Sequence, residues 1–204
     1  IIKLMEDRLN AESDILEGGV QAIMLVEDSV RFYSTYLPEL YKILLVQNSE
    51  FMKDAYNEQQ QINRKRSRPK VLLATNYTDA VEMYARYKKN LLGVISDVGL
   101  IVKSGDRSED EKSDAGIDIC KMIKAETPWM PIIMQSSQVN YRSVAESLGV
   151  GFIAKTSKTL LSELQDVILR EFGFGEFVFR DLHTGAVVGR ARDLMQMQEL
   201  IATV

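Results

Sequence analysis

Short runs of apolar residues alternate with longer stretches of mixed polarity along most of this chain. The run Ala22-Ile23-Met24-Leu25-Val26 contains no polar position, as expected of a strand buried on both faces of a parallel sheet. Comparable runs lie at 71–74, 91–96, 131–134 and 151–154. Helix-like stretches fill roughly 29–65, 78–89, 116–126, 140–148 and 158–171. Five strand–helix repeats predict an α/β fold, a doubly wound five-stranded parallel sheet, because each parallel pair needs a crossover.

Both ends depart from this rhythm. Residues 1–19 carry scattered apolar positions among charges and read as a linker helix ended by Gly18-Gly19, where a left-handed residue is cheap only for glycine. Beyond Phe172, Glu176–Arg180 and Ala186–Ala191 read as two short strands around a turn at Asp181–Gly185. Asp193 then reads as the N-cap of a helix through Leu194, Met197, Leu200 and Ile201. The expected organisation is a linker helix at 1–19, a main domain at 20–172, and a hairpin–helix appendage at 173–204. Two connections are long. From Asp28 to Val71 one elongated helix is expected, its far half polar (Gln59-Gln60-Gln61, Arg64-Lys65-Arg66). Gly99–Ala115, with KSGDRSEDEKSD, reads as a polar loop without periodicity.

Composition narrows the class. With 204 residues, 46% of them hydrophobic and 26% charged, the chain has a globular balance and room for one domain with additions. A net charge of −4 argues against a nucleic-acid binder that works through a basic face. One Cys cannot form an internal disulfide and fits a reducing, cytoplasmic setting. No apolar run approaches the roughly 18 residues of a membrane span. Residue 1 is Ile, so the chain reads as a piece of a longer protein.

In an open parallel sheet, ligands gather at the carboxyl ends of the strands. There the first strand ends in Glu27-Asp28, the third in Asp97, the fourth in Ser136-Ser137 and the fifth in Lys155. Clustered carboxylates raise one another's pKa unless a cation joins them, and a hard ion such as Mg²⁺ suits oxygen ligands. A carboxylate can also attack a phosphoryl group, and a hydroxyl and an ammonium would then balance the added charge. Taken singly, each residue has a plainer reading. Glu27/Asp28 would be helix N-terminal acids, Ser136 and Ser137 turn residues, and Lys155 a solvated lysine. Their shared place at strand ends favours a site.

The segments VEDS, ISD, GIDICKMIK, PIIMQSS and LGVGFIAK resemble the successive motifs of two-component response-regulator receiver domains, over residues 22–172. That resemblance implies a flavodoxin-like strand order of 2-1-3-4-5. It also implies a phosphoacceptor at Asp97, with Mg²⁺ held by Asp28, Asp97 and the Gly99 carbonyl, and by Glu27 through water. Ser136 matches the switch hydroxyl, Lys155 the ammonium that meets the phosphoryl group, and Phe152 the switch aromatic. The implied partners are a histidine kinase or phosphotransfer protein as donor, an attached or separate output domain, and a second copy of the chain. The implied role is regulatory rather than enzymatic. SVRFYSTYLPELY, RPKVLLAT, FGFGEFVFR and RARDL resemble receiver domains fused to phosphoenolpyruvate synthase/pyruvate phosphate dikinase-like proteins.

The chain departs from the family at several points. Thr156 replaces the proline that usually follows the lysine with a cis bond, Ile101 replaces another proline, and Ser137 replaces a small alanine. The first helix and the loop after Asp97 are longer. These departures motivate an alternative, a pseudo-receiver that acts through constitutive contacts or dimerisation. A haloacid-dehalogenase-like phosphatase would need an acid at Gly99, and a flavin binder would not place Glu27-Asp28 against phosphate. Elsewhere, Cys120 reads as a buried thiol beside Ile117 and Ile123, His183 as a surface turn residue, and Trp129 as packing. The cluster Arg64-Lys65-Arg66-Arg68-Lys70 reads as a solvated basic face.

Overall fold

A computed structural model describes residues 2–53, 68–103, 111–112, 114–173, 177–191 and 194–203. In chain order the elements are α1 (Ile2–Glu12), β1 (Ala22–Val26), α2 (Val30–Lys53), β2 (Lys70–Ala74), α3 (Tyr77–Tyr87) and β3 (Leu91–Asp97). Next come β4 (Leu100–Ile101), β5 (Glu111–Lys112), α4 (Ala115–Glu126), β6 (Ile132–Ser136), α5 (Tyr141–Ser147) and β7 (Gly151–Ala154). The chain then forms α6 (Leu160–Arg170), β8 (Phe177–Arg180), β9 (Val187–Ala191) and α7 (Leu194–Thr203).

Five strands make one parallel sheet in the order β2-β1-β3-β6-β7, the flavodoxin-like order 2-1-3-4-5 when only these strands are numbered. The uninterrupted apolar run of β1 is explained by its two faces. Ile23 and Leu25 pack with Tyr36, Leu40 and Leu44 of α2 and with Leu164 and Ile168 of α6. Met24 and Val26 point the other way, to Tyr84 of α3, Cys120 and Ile123 of α4, and Ala145 of α5. Alternate side chains thus feed two cores, and neither face can be polar.

The N-terminal segment docks on the outer edge of the sheet. An edge strand leaves unpaired N–H groups that natural proteins cover. Asp7 of α1 accepts from the Leu73 N–H of β2 at 3.1 Å, and Lys70 pairs with Glu6 and Asp14. Ala11 and Ile15 pack against Ala22, Leu72 and Tyr87. The helix passes into a π-helical turn, Ser13–Glu17, and Gly19 (φ +67°) redirects the chain into β1.

Several expectations need correction. Within the described residues α2 runs to Lys53, with Pro38 inside it; the remainder of the expected helix, the Gln59–Gln61 run and Arg64-Lys65-Arg66 lie outside the described residues, as does Asp193. Lys70 is not part of a solvated basic face, because its side chain is only 10% exposed and engages two carboxylates. The segment after Gly99 is not loop throughout: β4 and β5 pair antiparallel and Leu100 is fully buried. Residues 104–110 and 113 lie outside the described residues. Trp129 is 40% exposed, so it packs only in part. The C-terminal hairpin forms as expected, with His183 exposed in its turn and Asp181 Oδ1 accepting from the His183 and Thr184 N–H groups. Among the described residues no helix is long and apolar enough to cross a membrane.

Candidate functional site

Strand register levels the residues at the carboxyl edge. Val26 lies opposite Ser96, Asp97 opposite Gln135, and Ser136 opposite Ala154. The next residue on three strands is therefore Glu27, Asp97 or Lys155, all at one end of the sheet. Glu27 N–H donates to the Ala74 carbonyl and Lys155 N–H to the Ser136 carbonyl, at 3.0 and 2.9 Å, which extends the ladder by one residue on each side.

The side chains converge. Lys155 Nζ donates to Asp97 Oδ2 at 2.5 Å and forms an ion pair with Glu27 Oε2 at 2.6 Å. The Lys155 and Glu27 side chains are 3% and 1% exposed. One oxygen each from Glu27, Asp28 and Asp97 lies within 4.8 Å of the others. Asp97 Oδ1 accepts from its neighbour, the Val98 N–H, at 2.8 Å, and Glu27 Oε1 accepts from the Ser29 N–H at 3.1 Å. Ser136 lines the same pocket, of about 270 Å³, and its hydroxyl oxygen accepts from the Gln138 N–H at 3.1 Å. Gly99 and Ser137 also line it, whereas Phe152 lies outside, with the Arg142 guanidinium 5.1 Å from its ring centroid. No peptide bond among the described residues is cis, Lys155–Thr156 included.

Burial dominates the electrostatics. It pushes the Glu27 carboxyl up to about 7, with the Asp97 charge adding to the rise and Lys155 pulling it back. Asp97 is also raised, first by burial, against the pull of Lys155. Clustered, desolvated carboxylates with a single ammonium are short of positive charge, and a hard divalent cation supplies it with the oxygen ligands such ions prefer. The donor set therefore fits Mg²⁺.

Four contributors escape the strand-end reading. Phe32 lies four residues after Asp28, in the first turn of α2, and its ring centroid is 4.2 Å from Lys155 Nζ. Its aromatic neighbour Tyr36 is buried, and burial together with the Glu27 and Asp97 charges raises its hydroxyl pKa. The Ile101 N–H donates to Asp28 Oδ2 at 2.9 Å, so β4 holds a site carboxylate. Gly116, at the start of α4, donates to the Val98 carbonyl at 2.8 Å and lies against the Asp97 backbone. The motif GIDICKMIK contains Gly116 and SVRFYSTYLPELY contains Phe32 and Tyr36, and Ile101 stands out only where the family has a proline; none of these says what the residue touches.

No family model matches the chain, and no curated protein does. Among solved structures, the chain is similar to a response-regulator receiver domain protein from Clostridium thermocellum, with 18% identity, 76% of this chain and 96% of that chain covered, and a TM-score of 0.47. It is similar to the N-terminal signal receiver domain of a two-component response regulator from Bacteroides fragilis (13% identity, 75% and 97% covered, TM-score 0.48). A third is the response regulator TrrA from Thermotoga maritima in complex with Mg²⁺-BeF (16% identity, 74% and 98% covered, TM-score 0.41).

Proposed function

We propose that this chain is the receiver module of a phosphorylation switch, with residues 20–172 as the receiver and 1–19 and 173–204 as flanking segments. The observation that carries the reading is the Asp97 carboxylate held at 2.5 Å by a buried ammonium, with the oxygens of Glu27 and Asp28 beside it at the carboxyl edge of a parallel sheet. An acid packed only for stability would not draw two more carboxylates into a desolvated cluster, because each raises the cost of ionising the others.

The chemistry follows from these groups. A carboxylate oxygen of Asp97 attacks the phosphorus of a donor, a phosphohistidine or a small acyl phosphate; the new O–P bond forms as the bond to the leaving group breaks. Asp28 and Asp97, with the Gly99 carbonyl and with Glu27 through water, would hold Mg²⁺, which when bound neutralises charge on the transferred group. Lys155 is placed to follow the phosphoryl oxygens as the negative charge moves outward from the Asp97 carboxylate. The Ser136 hydroxyl would turn from the Gln138 N–H to donate to a phosphoryl oxygen, and Phe152 would repack behind it. The Ile101 N–H to Asp28 bond carries the change into β4, and Val102, whose carbonyl accepts from Thr78 at the start of α3, carries it onward.

The proposed donor is a histidine kinase or phosphotransfer protein, and the proposed output is an attached or associated domain. A phosphoenolpyruvate synthase-like enzyme is the specific candidate, on the sequence resemblance at 29–41, 68–75 and 172–180. The test is intact-protein mass after incubation with acetyl phosphate, with and without Mg²⁺, beside Asp97→Asn. One Mg²⁺-dependent phosphoryl adduct, absent from the variant, is expected. No adduct under conditions that modify a control receiver would overturn the reading in favour of a module acting through constitutive contacts.

A further inference from the structure

We propose that Phe32 is a positioning residue for Lys155, its ring face holding the ammonium against Asp97; this rests on the reading of Asp97 as the phosphoacceptor. Lysine ends in a compact charge on a four-carbon stem, and nothing in its covalent structure aims it. Here Nζ donates to Asp97 Oδ2 and pairs with Glu27 Oε2, while the Phe32 ring centroid lies 4.2 Å away. At that distance the negative face of the ring attracts the cation, and the attraction is strongest where water is excluded. Lys155 meets that condition, with a side chain only 3% exposed.

The ring itself is held in place. Phe32 lies four residues before Tyr36 on α2, and the two rings stack with centroids 6.1 Å apart and planes 19° apart. Tyr36 is 1% exposed and belongs to the core formed with Leu40, Leu25 and Ile95. Phe32, backed by Tyr36, therefore forms the helix side of the pocket. Phe32 lines that pocket together with Asp28, Asp97 and Lys155. An aliphatic side chain of similar volume would fill the space but offer the ammonium no negative face. Lys155 would then be free to sample rotamers that leave Asp97.

The test uses the whole chain and two readouts. In NMR spectra, the Lys155 ε-methylene protons are expected upfield of ordinary lysine because of the Phe32 ring current, and this shift is expected to vanish in Phe32→Leu. Phosphorylation of Asp97 by acetyl phosphate with Mg²⁺ is expected to slow at least about tenfold in Phe32→Leu, and about thirtyfold if the full worth of a desolvated cation–ring contact is lost. Phe32→Trp is expected to restore the rate. Stepwise fluorination of the ring at position 32, which weakens the quadrupole with little change of size, is expected to lower the rate with each added fluorine; a filler of space would show no such trend. A folded Phe32→Leu protein phosphorylated at the wild-type rate, or an unshifted Lys155 methylene in the wild type, would overturn the proposal. Should the wild type take up no phosphoryl group, the receiver reading fails, and the methylene shift alone decides whether Phe32 positions Lys155.

Discussion

Replacing Gly116 by Ala probes how tightly α4 is set against the acceptor strand. A Cβ at Gly116 would lie 1.8 Å from the Asp97 carbonyl oxygen, 2.8 Å from its carbon and 2.9 Å from the Val98 Cα. All three are backbone atoms, so no side chain can rotate to make room. Either the start of α4 lifts or the backbone around Asp97 moves, and both break the Gly116 N–H to Val98 carbonyl bond of 2.8 Å. Overpacking of this kind costs about 1–3 kcal/mol and the lost hydrogen bond about 1 kcal/mol. Alanine returns at most about 1 kcal/mol through its better helix propensity. A net loss of about 1–3 kcal/mol is expected in urea unfolding followed by circular dichroism, with a weaker Mg²⁺ affinity in the protein that remains folded. A variant within about 0.5 kcal/mol of wild type, with unchanged Mg²⁺ affinity, would refute the packing described here.

Other outcomes follow from buried groups. Because the folded state holds the Glu27 proton up to about 7 while the unfolded chain releases it near 4.5, metal-free protein should lose stability as pH rises between those values, by up to about 3 kcal/mol. Glu27→Gln should shallow that slope, leaving what Asp97, also raised, contributes; a wild-type stability that rises relative to the variant across this window would contradict it. Glu6, held down to about 2 by Lys3 and Lys70 against its desolvation, acts below that window and with the opposite sign. Asp7→Ala should cost about 1–3 kcal/mol in urea by leaving the Leu73 N–H unpaired, and light scattering should show faster aggregation as the β2 edge loosens. Burial pushes the Cys120 thiol up to about 12, so it should resist a thiol reagent at pH 8 until the protein is unfolded. Modification of the native protein at the rate of a free thiol would show that the packing of α4 is wrong.

The sheet was legible because its inner strands β1 and β6 are buried on both faces. An apolar run such as 22–26 then fits a doubly buried strand, and the residues just past its end mark the carboxyl edge of the sheet. That logic reached Glu27, Asp28, Asp97, Ser136 and Lys155 without any side-chain geometry. It could not reach β4 and β5, since strands two residues long have no period, and β5 lies in a polar stretch. Nor could it show that α1 docks on β2, because the polar part of that contact is made by Asp7, Glu6 and Lys70, which read as solvent-facing in a sequence. Phe32 reads as one more apolar position of α2; only the fold shows that its ring faces an ammonium. The Ile101 contact with Asp28 is made by a backbone N–H, which every residue but proline carries, so no side-chain pattern could announce it.

The most direct test of Asp97 as acceptor is chemical trapping. After incubation with acetyl phosphate and Mg²⁺, borohydride reduces an aspartyl phosphate to homoserine, and peptide mass spectrometry locates the change. Conversion at Asp97 alone, dependent on both donor and Mg²⁺, is the expected result. Conversion at Asp28 or another acid, with Asp97 intact, would contradict the account.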